Sequence, residues 1–380
     1  MKKILFVSTR NPYSGRYSGD VIRSLKILNL LKKKYQVDLV FPGNEKSKKI
    51  KDVNIRSFKP ASFWLKFFYC IVSFFQLNPI QFGLFFSAKM RKYINENSFN
   101  YDIIFFHHLR SIQFLPKNYH GKKILDMGDL YSDNYFQTYK YLNFLNPIKY
   151  IYLIEAFLIK LAEDRVFSIF DKVLLFSKKE VEKIKTKFDK NAIVQIDESI
   201  ERLNKKFSFS KNNFKVLFIG NLNYLPNILA CKDFVKNVLP NLKNKIPNLK
   251  FCIVGDVKRS DKIYLSKNKD VQIVGSKKNL TKYANNSICG LANLSIATGV
   301  QVKVLTYMTF GLPVVCSKQV SLNFAKNVLT YNSNSELADQ ILKLKNKKVL
   351  WNIFSKKSFK FVKKFKWENI SKRYLNILNS

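Results

Sequence analysis

The stretch ATGVQVKVLTYMTFGLPVV, residues 297–315, holds the residues best spaced for chemistry in this chain. Thr298 and Gln301, three positions apart, match a capping box, in which a hydroxyl and a longer side chain satisfy the first amides of a helix. Val304, Leu305 and Met308 then repeat at helical spacing, Gly311 suits the left-handed residue that ends a helix, and Pro313 forbids its continuation. A helix starting there aims its first amides and the positive end of its dipole at one point, which attracts anions. The same residues also describe an ordinary capped helix. A second candidate is FIGNLNYLPN, residues 218–227: a strand ends at Gly220, where backbone can approach a ligand, and Tyr224 offers a ring to stack on a base. A third is the pair His107 and His108, which follows a strand end, where loop-borne functional groups concentrate.

These residues need elements to hold them. Apolar runs at 3–8, 36–42, 101–108, 122–129 and 172–177 read as strands. Between the first two, residues 20–35 are amphipathic at helical period, and 145–168 reads as a long helix with Glu155 and Glu163 on its polar side. A polar stretch at 204–213 reads as an interdomain joint. A second series follows, with strands at 215–220, 249–255, 271–275, 287–293 and 312–317 and helices at about 227–245 and 300–310. Strands alternating with helices mean parallel sheets, so the expectation is two doubly wound α/β domains with ligands at the carboxyl ends of the strands.

Composition narrows the classes. The 380 residues, 47% hydrophobic, suffice for two cores. Five cysteines with no C-x-x-C pair argue against a disulfide framework or a zinc ribbon and predict a reducing, cytoplasmic setting. MKKILFVSTR reads as a first strand and not as a signal peptide. The most apolar stretch, residues 63–86, is interrupted by Lys66, Gln76, Asn78, Pro79 and Gln81, so it falls short of a spanning helix. It reads as a buried helix and loop, or alternatively as a surface that dips into a bilayer interface. The net charge of +41 fits either a compositional bias or attraction to an anionic membrane. Lysines scattered along the whole chain, far outnumbering arginines, argue against nucleic acid.

In order and spacing, FIGNLNYLPN, KFCIVG, VQIVGSKKNLTKYANNS and ATGVQVKVLTYMTFGLPVV resemble the nucleotide-sugar-binding half of group 1 (family 4) glycosyltransferases. The likeness is nearest to a sugar-transferase branch associated with exopolysaccharide systems. TRNPYSGRYSGDVIRSLKILNLL, YDIIFFHHLR, ILDMGDLYSDNY, FSIFDKVLLFSKKE and FKWENISKRYLNIL resemble that branch's remaining motifs. The resemblance implies a GT-B architecture, two Rossmann-like domains facing a central cleft. An acceptor domain over 1–200, a nucleotide-sugar domain over 201–355 and a terminal helix at 356–380 packing back on the first domain are expected.

It also implies roles. Thr298, Gly299, Val300 and Gln301 would supply the helix start that holds the donor diphosphate, with Lys303 as a nearby cation and Thr306 one turn on. Gly220, Asn221, Tyr224 and Gly255 would line the other side, and Gly19 would lie against the leaving group, its loop organised by Asp20 and Arg23. The implied reaction is sugar transfer from a nucleotide diphosphate with retained configuration, with no metal and no cofactor. The acceptor would be a polysaccharide or lipid-linked glycan for cell-surface assembly at the inner membrane face. Departures stand beside this: Thr306 replaces the usual Glu that binds ribose, Val302 replaces a polar residue, and Leu229 an Asp. Asp126 or Asp129 stands where the family's amino-domain histidine is expected, so either carboxylate, or His108, is a candidate to orient or deprotonate the acceptor. A degenerate, non-catalytic member serving in a glycan-assembly complex is the alternative.

Overall fold

Strands such as KILFVS have no polar alternation, so both of their faces must be covered, which a parallel sheet flanked by helices provides. The computed structural model describes residues 1–15, 19–43 and 52–379; residues 16–18 of the opening loop lie outside the described residues. The chain divides into two units, Met1–Asp197 together with the residues from Ser371 onward, and Glu198–Ile370.

The first unit carries seven parallel strands: β1 (Lys3–Ser8), β2 (Gln36–Pro42), β3 (Val53–Phe58), β4 (Ile103–His107), β5 (Lys122–Gly128), β6 (Lys172–Leu175) and β7 (Ile193–Gln195). Their order is β3-β2-β1-β4-β5-β6-β7. The second carries β8 (Lys215–Ile219), β9 (Lys250–Val254), β10 (Val271–Ile273), β11 (Ser287–Ala292), β12 (Val314–Ser317) and β13 (Leu329–Tyr331), in the order β10-β9-β8-β11-β12-β13. Both are doubly wound. The order reverses between β1 and β4 in one and between β8 and β11 in the other, and those are the points where a crevice opens at the carboxyl ends. Three strands that periodicity does not announce, β3, β7 and β13, are all edge strands.

The last helix, Trp367–Asn379, ends on the first unit. Arg373 donates to Asp197 at 2.8 Å, and the Lys122 ammonium donates to the Ile377 carbonyl at 3.0 Å.

Three sequence expectations are corrected. Glu155 and Glu163 do not sit on a polar face of the helix Ile148–Ile169, being 4% and 0% exposed. Each carboxylate serves the amides that begin a neighbouring helix. Glu155 accepts from the Ile80 and Gln81 amides at 2.7 and 3.1 Å, and Glu163 accepts from the Ser132 amide at 3.1 Å and its hydroxyl at 2.5 Å. Residues 63–86 are not a buried helix and loop: the helix Phe63–Phe75 has no buried residue, and a short helix, Ile80–Phe85, follows it. The stretch 204–213 is not a loose joint but a strap of the second unit. Its Asn204 and Phe207 amides donate to the Thr309 and Phe310 carbonyls, and the Phe207 ring stacks on Phe310 at 5.7 Å.

Burial pushes the Glu163 carboxyl up to about 7. A raised carboxyl pKa means that the folded state holds a proton the unfolded chain has released, so its contribution is greatest below pH ~4.3 and is lost as pH rises through 7. Glu163→Gln removes that loss. Urea unfolding should show the variant gaining about 3 kcal/mol on wild type between pH 5 and pH 8.

Candidate active site

At the switch point of the first unit, the ends of β1, β4 and β5 bring together a dense set of charged groups. Asp126, on β5, is 2% exposed. Arg23, from the helix Gly19–Leu31, donates through Nε to one carboxylate oxygen at 2.7 Å and through a terminal nitrogen to the other at 2.5 Å. His107 Nδ1 lies 3.0 Å from the same carboxylate, and the Tyr374 hydroxyl donates to it at 3.2 Å. The guanidinium is sandwiched further by the Phe176 ring, 3.8 Å away. Burial alone would raise the Asp126 pKa, but the Arg23 charge and the hydrogen bonds from His107 and Arg23 overcome it and hold the carboxyl well below the usual range.

This corrects the reading of Asp126 as acceptor base. A carboxylate sealed from solvent and occupied by four donors cannot reach a substrate proton, and its low pKa leaves it a poor base. It is a structural pivot. Asp129 stands partly exposed in the turn after β5, three residues beyond Asp126.

His108 follows β4 with φ +69 and ψ 147, a conformation that is costly for any side-chain-bearing residue. Its carbonyl is pinned by the Ser111 hydroxyl at 2.7 Å and its amide donates to the Asp126 carbonyl at 3.0 Å. Burial pushes its pKa well below that of ordinary imidazole, with His107 and Arg110 adding to the effect. Neutral His108 meets the Tyr131 hydroxyl at Nδ1. The Tyr131 hydroxyl also reaches the Met127 carbonyl at 3.4 Å, so it can donate there while accepting from Nδ1, or donate to Nδ1 itself. Nε2 is buried and has no hydrogen-bond partner among the described residues.

Arg110, absent from the sequence reading as a functional residue, lines a small pocket with Gln81, Phe82, Leu109 and Tyr131. It lies over the Phe85 ring at 4.4 Å, and among the described residues no carboxylate forms an ion pair with it. Arg10 pairs with Asp20, in the first turn of the helix that Gly19 opens. Around Gly19, nothing would obstruct an added Cβ within 4 Å.

The second unit builds its ledge from backbone. Gly220 follows β8 and Gly255 follows β9; a Cβ on Gly255 would fall 1.9 Å from the Gly220 carbonyl oxygen, so the two turns meet only as glycines. Asn227 donates to the Asn221 carbonyl at 2.8 Å and accepts at Oδ1 from the Lys303 amine at 2.5 Å. Lys303 is thus not an outward-facing cation. Its amine is buried 4.2 Å over the Phe218 ring, and burial pushes its pKa down to about 7. The bond to Asn227 ties the start of the helix Val302–Thr309 to the Gly220 turn.

The helix itself starts later than the spacing predicts. Gln301 is the N-cap, no side chain caps it, and the capping box does not form. Gly299 adopts φ +61, a left-handed turn just before the helix, and Gln301 Nε2 donates back to the Thr298 carbonyl at 2.9 Å. The Gly299 carbonyl accepts from Asn323 at 2.6 Å, and Val300 packs partly against the core. One turn in, the Thr306 hydroxyl donates to the Val302 carbonyl at 3.0 Å. Tyr224 is 45% exposed at the cap of the helix Leu225–Asp233. At the far end the expectation for Gly311 holds: with φ +66 it donates to Met308 while Leu312 donates to Tyr307, a Schellman closure. Among the described residues, no three His, Cys, Asp or Glu side chains are grouped as a metal site.

Residues 213–347 match the model of the family described as glycosyl transferases group 1. The second unit carries a group 1 glycosyltransferase domain. Gly220, Gly255 and the helix that begins at Val302 all lie within it. No curated protein sequence matches the chain. Among solved structures, TarM is similar over 100% of this chain and 99% of its own, at 16% identity and a TM-score of 0.68. Alr3699/HepE from Anabaena, in complex with UDP and glucose, is similar over 100% of both chains, at 14% identity and a TM-score of 0.69. An α,α-trehalose-phosphate synthase (UDP-forming) from Burkholderia vietnamiensis is similar over 100% of this chain and 97% of its own, at 9% identity and a TM-score of 0.70. These likenesses establish the GT-B fold across the whole length.

Replacing the buried Asp126 by Asn removes the carboxylate charge that Arg23 grips through two nitrogens. The variant should lose about 3–5 kcal/mol of stability in denaturant unfolding. A loss within about 0.5 kcal/mol of zero would mean that Arg23 is paired elsewhere.

Proposed function

We propose that this chain is a retaining glycosyltransferase that moves a sugar from a nucleoside diphosphate, with UDP as the first base to test, to a glycan or lipid-linked acceptor in cell-surface glycan assembly. The observation that carries the reading is the group 1 domain at 213–347, whose glycine turns and uncapped helix start lie at one sheet switch point. The binding of UDP and glucose by the Anabaena relative and the UDP-forming reaction named for the Burkholderia enzyme support the donor class.

In the reaction, the bond from the anomeric carbon to the diphosphate oxygen breaks, its electron pair leaving with the diphosphate. The acceptor oxygen bonds to that carbon and its proton passes to a base. In this reading the first-turn amides at Val302 and Lys303 and the helix dipole meet the leaving charge, a role that the absence of a side-chain cap on that turn supports. The close backbone approach at Gly220 and Gly255 admits the nucleotide. In this reading Asp129, partly exposed in the turn after β5, takes the acceptor proton, while the His108 imidazole and the Arg110 guanidinium suit an acceptor carrying oxygen atoms and negative charge. A resident metal has no part in the scheme. Exopolysaccharide assembly at the inner face of a membrane is the biological setting that the sequence resemblance favours.

A specific feature supports the runner-up, a non-catalytic member of an assembly: Thr306 offers an uncharged hydroxyl where the family has an acid. One experiment addresses both. UDP-, GDP-, ADP- and CDP-linked sugars are screened by thermal shift and by release of nucleotide. Stabilisation by one base with turnover supports transfer; stabilisation without turnover supports the runner-up; neither response overturns both. Thr306→Glu should tighten the responding donor by about 5–20-fold, from a charged hydrogen bond to the ribose.

Lys303 provides a second check. A diphosphate near a lysine whose pKa is about 7 favours the ammonium form, so donor binding at pH 8 should take up a proton and weaken as pH rises. Calorimetry in buffers of different ionisation enthalpy measures the uptake, and Lys303→Met should abolish it.

A further inference from the structure

The largest departure from ordinary packing in the first unit is the helix Phe63–Phe75, FWLKFFYCIVSFF, an apolar helix with no buried residue. Phe63, Trp64 and Phe75 are 76%, 77% and 78% exposed, and Phe67, Phe68 and Leu77 are exposed as well. Isolated surface hydrophobes are common, but a whole helix of them on a chain otherwise able to form buried cores marks an interaction surface.

The helix is firmly placed despite its exposure. A Cβ on Gly83 would lie 2.3 Å from the Cys70 amide nitrogen, so the following short helix, Ile80–Phe85, packs backbone to backbone against it. Tyr69 meets Phe86 edge-on at 4.6 Å. The pair is anchored to the helix Ile148–Ile169 through polar groups: Glu155 takes the Ile80 and Gln81 amides, and Arg165 donates to the Leu77 carbonyl at 2.8 Å. That third helix and the turn before it add Phe144, Leu145, Ile148, Ile151, Ile154 and Phe157, all exposed. The carboxylate and the guanidinium therefore bind the three helices from within, and apolar side chains are left outward on each.

Charge identifies the occupant. No Asp or Glu occurs from Val53 to Asn95, while Arg56, Lys59, Lys66, Lys89, Arg91 and Lys92 do. None occurs from Asn134 to Ile154 either, where Lys140 and Lys149 stand. A second copy of this chain would bring cations against cations, since the chain carries 67 basic and 26 acidic residues. An anionic bilayer instead accepts aromatic and aliphatic side chains below its headgroups and lysines among them. The helix is too short to cross: 13 residues span about 20 Å against a hydrocarbon core of about 30 Å. Among the described residues no helix is long and apolar enough to span.

We infer that the face formed by residues 63–85 and 144–157 is a membrane-docking surface that immerses its aromatic and aliphatic side chains in an anionic lipid interface. It gives the proposed transferase a bilayer as partner, but the docking itself does not depend on the transfer reaction. The full chain is sedimented with vesicles of phosphatidylglycerol and phosphatidylcholine in equal parts, and with pure phosphatidylcholine, while Trp64 fluorescence is followed. The mixed vesicles should bind the protein at least tenfold more strongly and shift the emission to the blue. Phe67→Asp with Phe75→Asp, both at exposed positions, should leave the melting temperature and any nucleotide-sugar shift unchanged yet cut vesicle binding tenfold or more. Equal binding by the double variant overturns the inference. So does a wild-type dimer, seen by light scattering at micromolar concentration, that the same substitutions dissociate, because the face then belongs to a second copy. A failed donor screen with intact vesicle binding would refute only the transferase reading.

Discussion

A carboxylate that water does not reach stays charged only if a cation and hydrogen-bond partners surround it, and in the first unit Asp126 does so through Arg23, His107 and Tyr374. Those four residues come from β5, the first helix, β4 and the last helix. The ion pair therefore gathers at one point the elements that the sheet alone leaves separate. Breaking such a pair is costly because the remaining charge is stranded, not because the pair is intrinsically worth much over an apolar contact. Its position at the switch point means that the loops bearing His108, Arg110 and Asp129 are all set by it, directly or through a neighbouring turn. The strained backbone at His108 is held by the same arrangement, its amide bonded to the Asp126 carbonyl.

The second unit reaches the same rigidity with fewer charges. Tyr307 is fully buried, donates to the Leu291 carbonyl and receives the Ile219 amide at 2.8 Å, so one hydroxyl joins β8 and β11 at their switch point. The Lys303–Asn227 bond then places the helix start against the glycine turns. An amine in that position is affordable because it can shed its proton, and this is why a lysine tolerates burial that an arginine would not.

The fold was legible because both sheets are built from continuous Val, Ile, Leu and Phe runs, and all ten strands anticipated from those runs are present, shifted by a residue or two at their ends. The three strands that escaped notice are edges, too short or too polar to give a period. The ledge of the second unit was legible as a motif, though its helix begins two residues beyond the expected start, since Gly299 turns the chain before the capping box can close. The ledge of the first unit was less so. Arg110 and Tyr131 carry no pattern of their own, and only folding brings them beside His108. Glu155 and Glu163 look like surface residues by spacing, because the helix ends they cap lie far away in sequence. The exposed helix at 63–75 was the hardest case. Apolar residues ordinarily mean burial, and composition does not tell a core from a face that waits for lipid.

The two ends of the helix Val302–Thr309 differ in their freedom. Its carboxyl end is locked, by the Gly311 closure and by the strap that lays Asn204 and Phe207 on its last carbonyls. Its amino end is fastened by the Lys303 amine and by the bond from Asn323 to the Gly299 carbonyl. The back of the helix is thus held by backbone bonds and its front by two side chains, so a substitution at Lys303 or Asn323 loosens the front end alone.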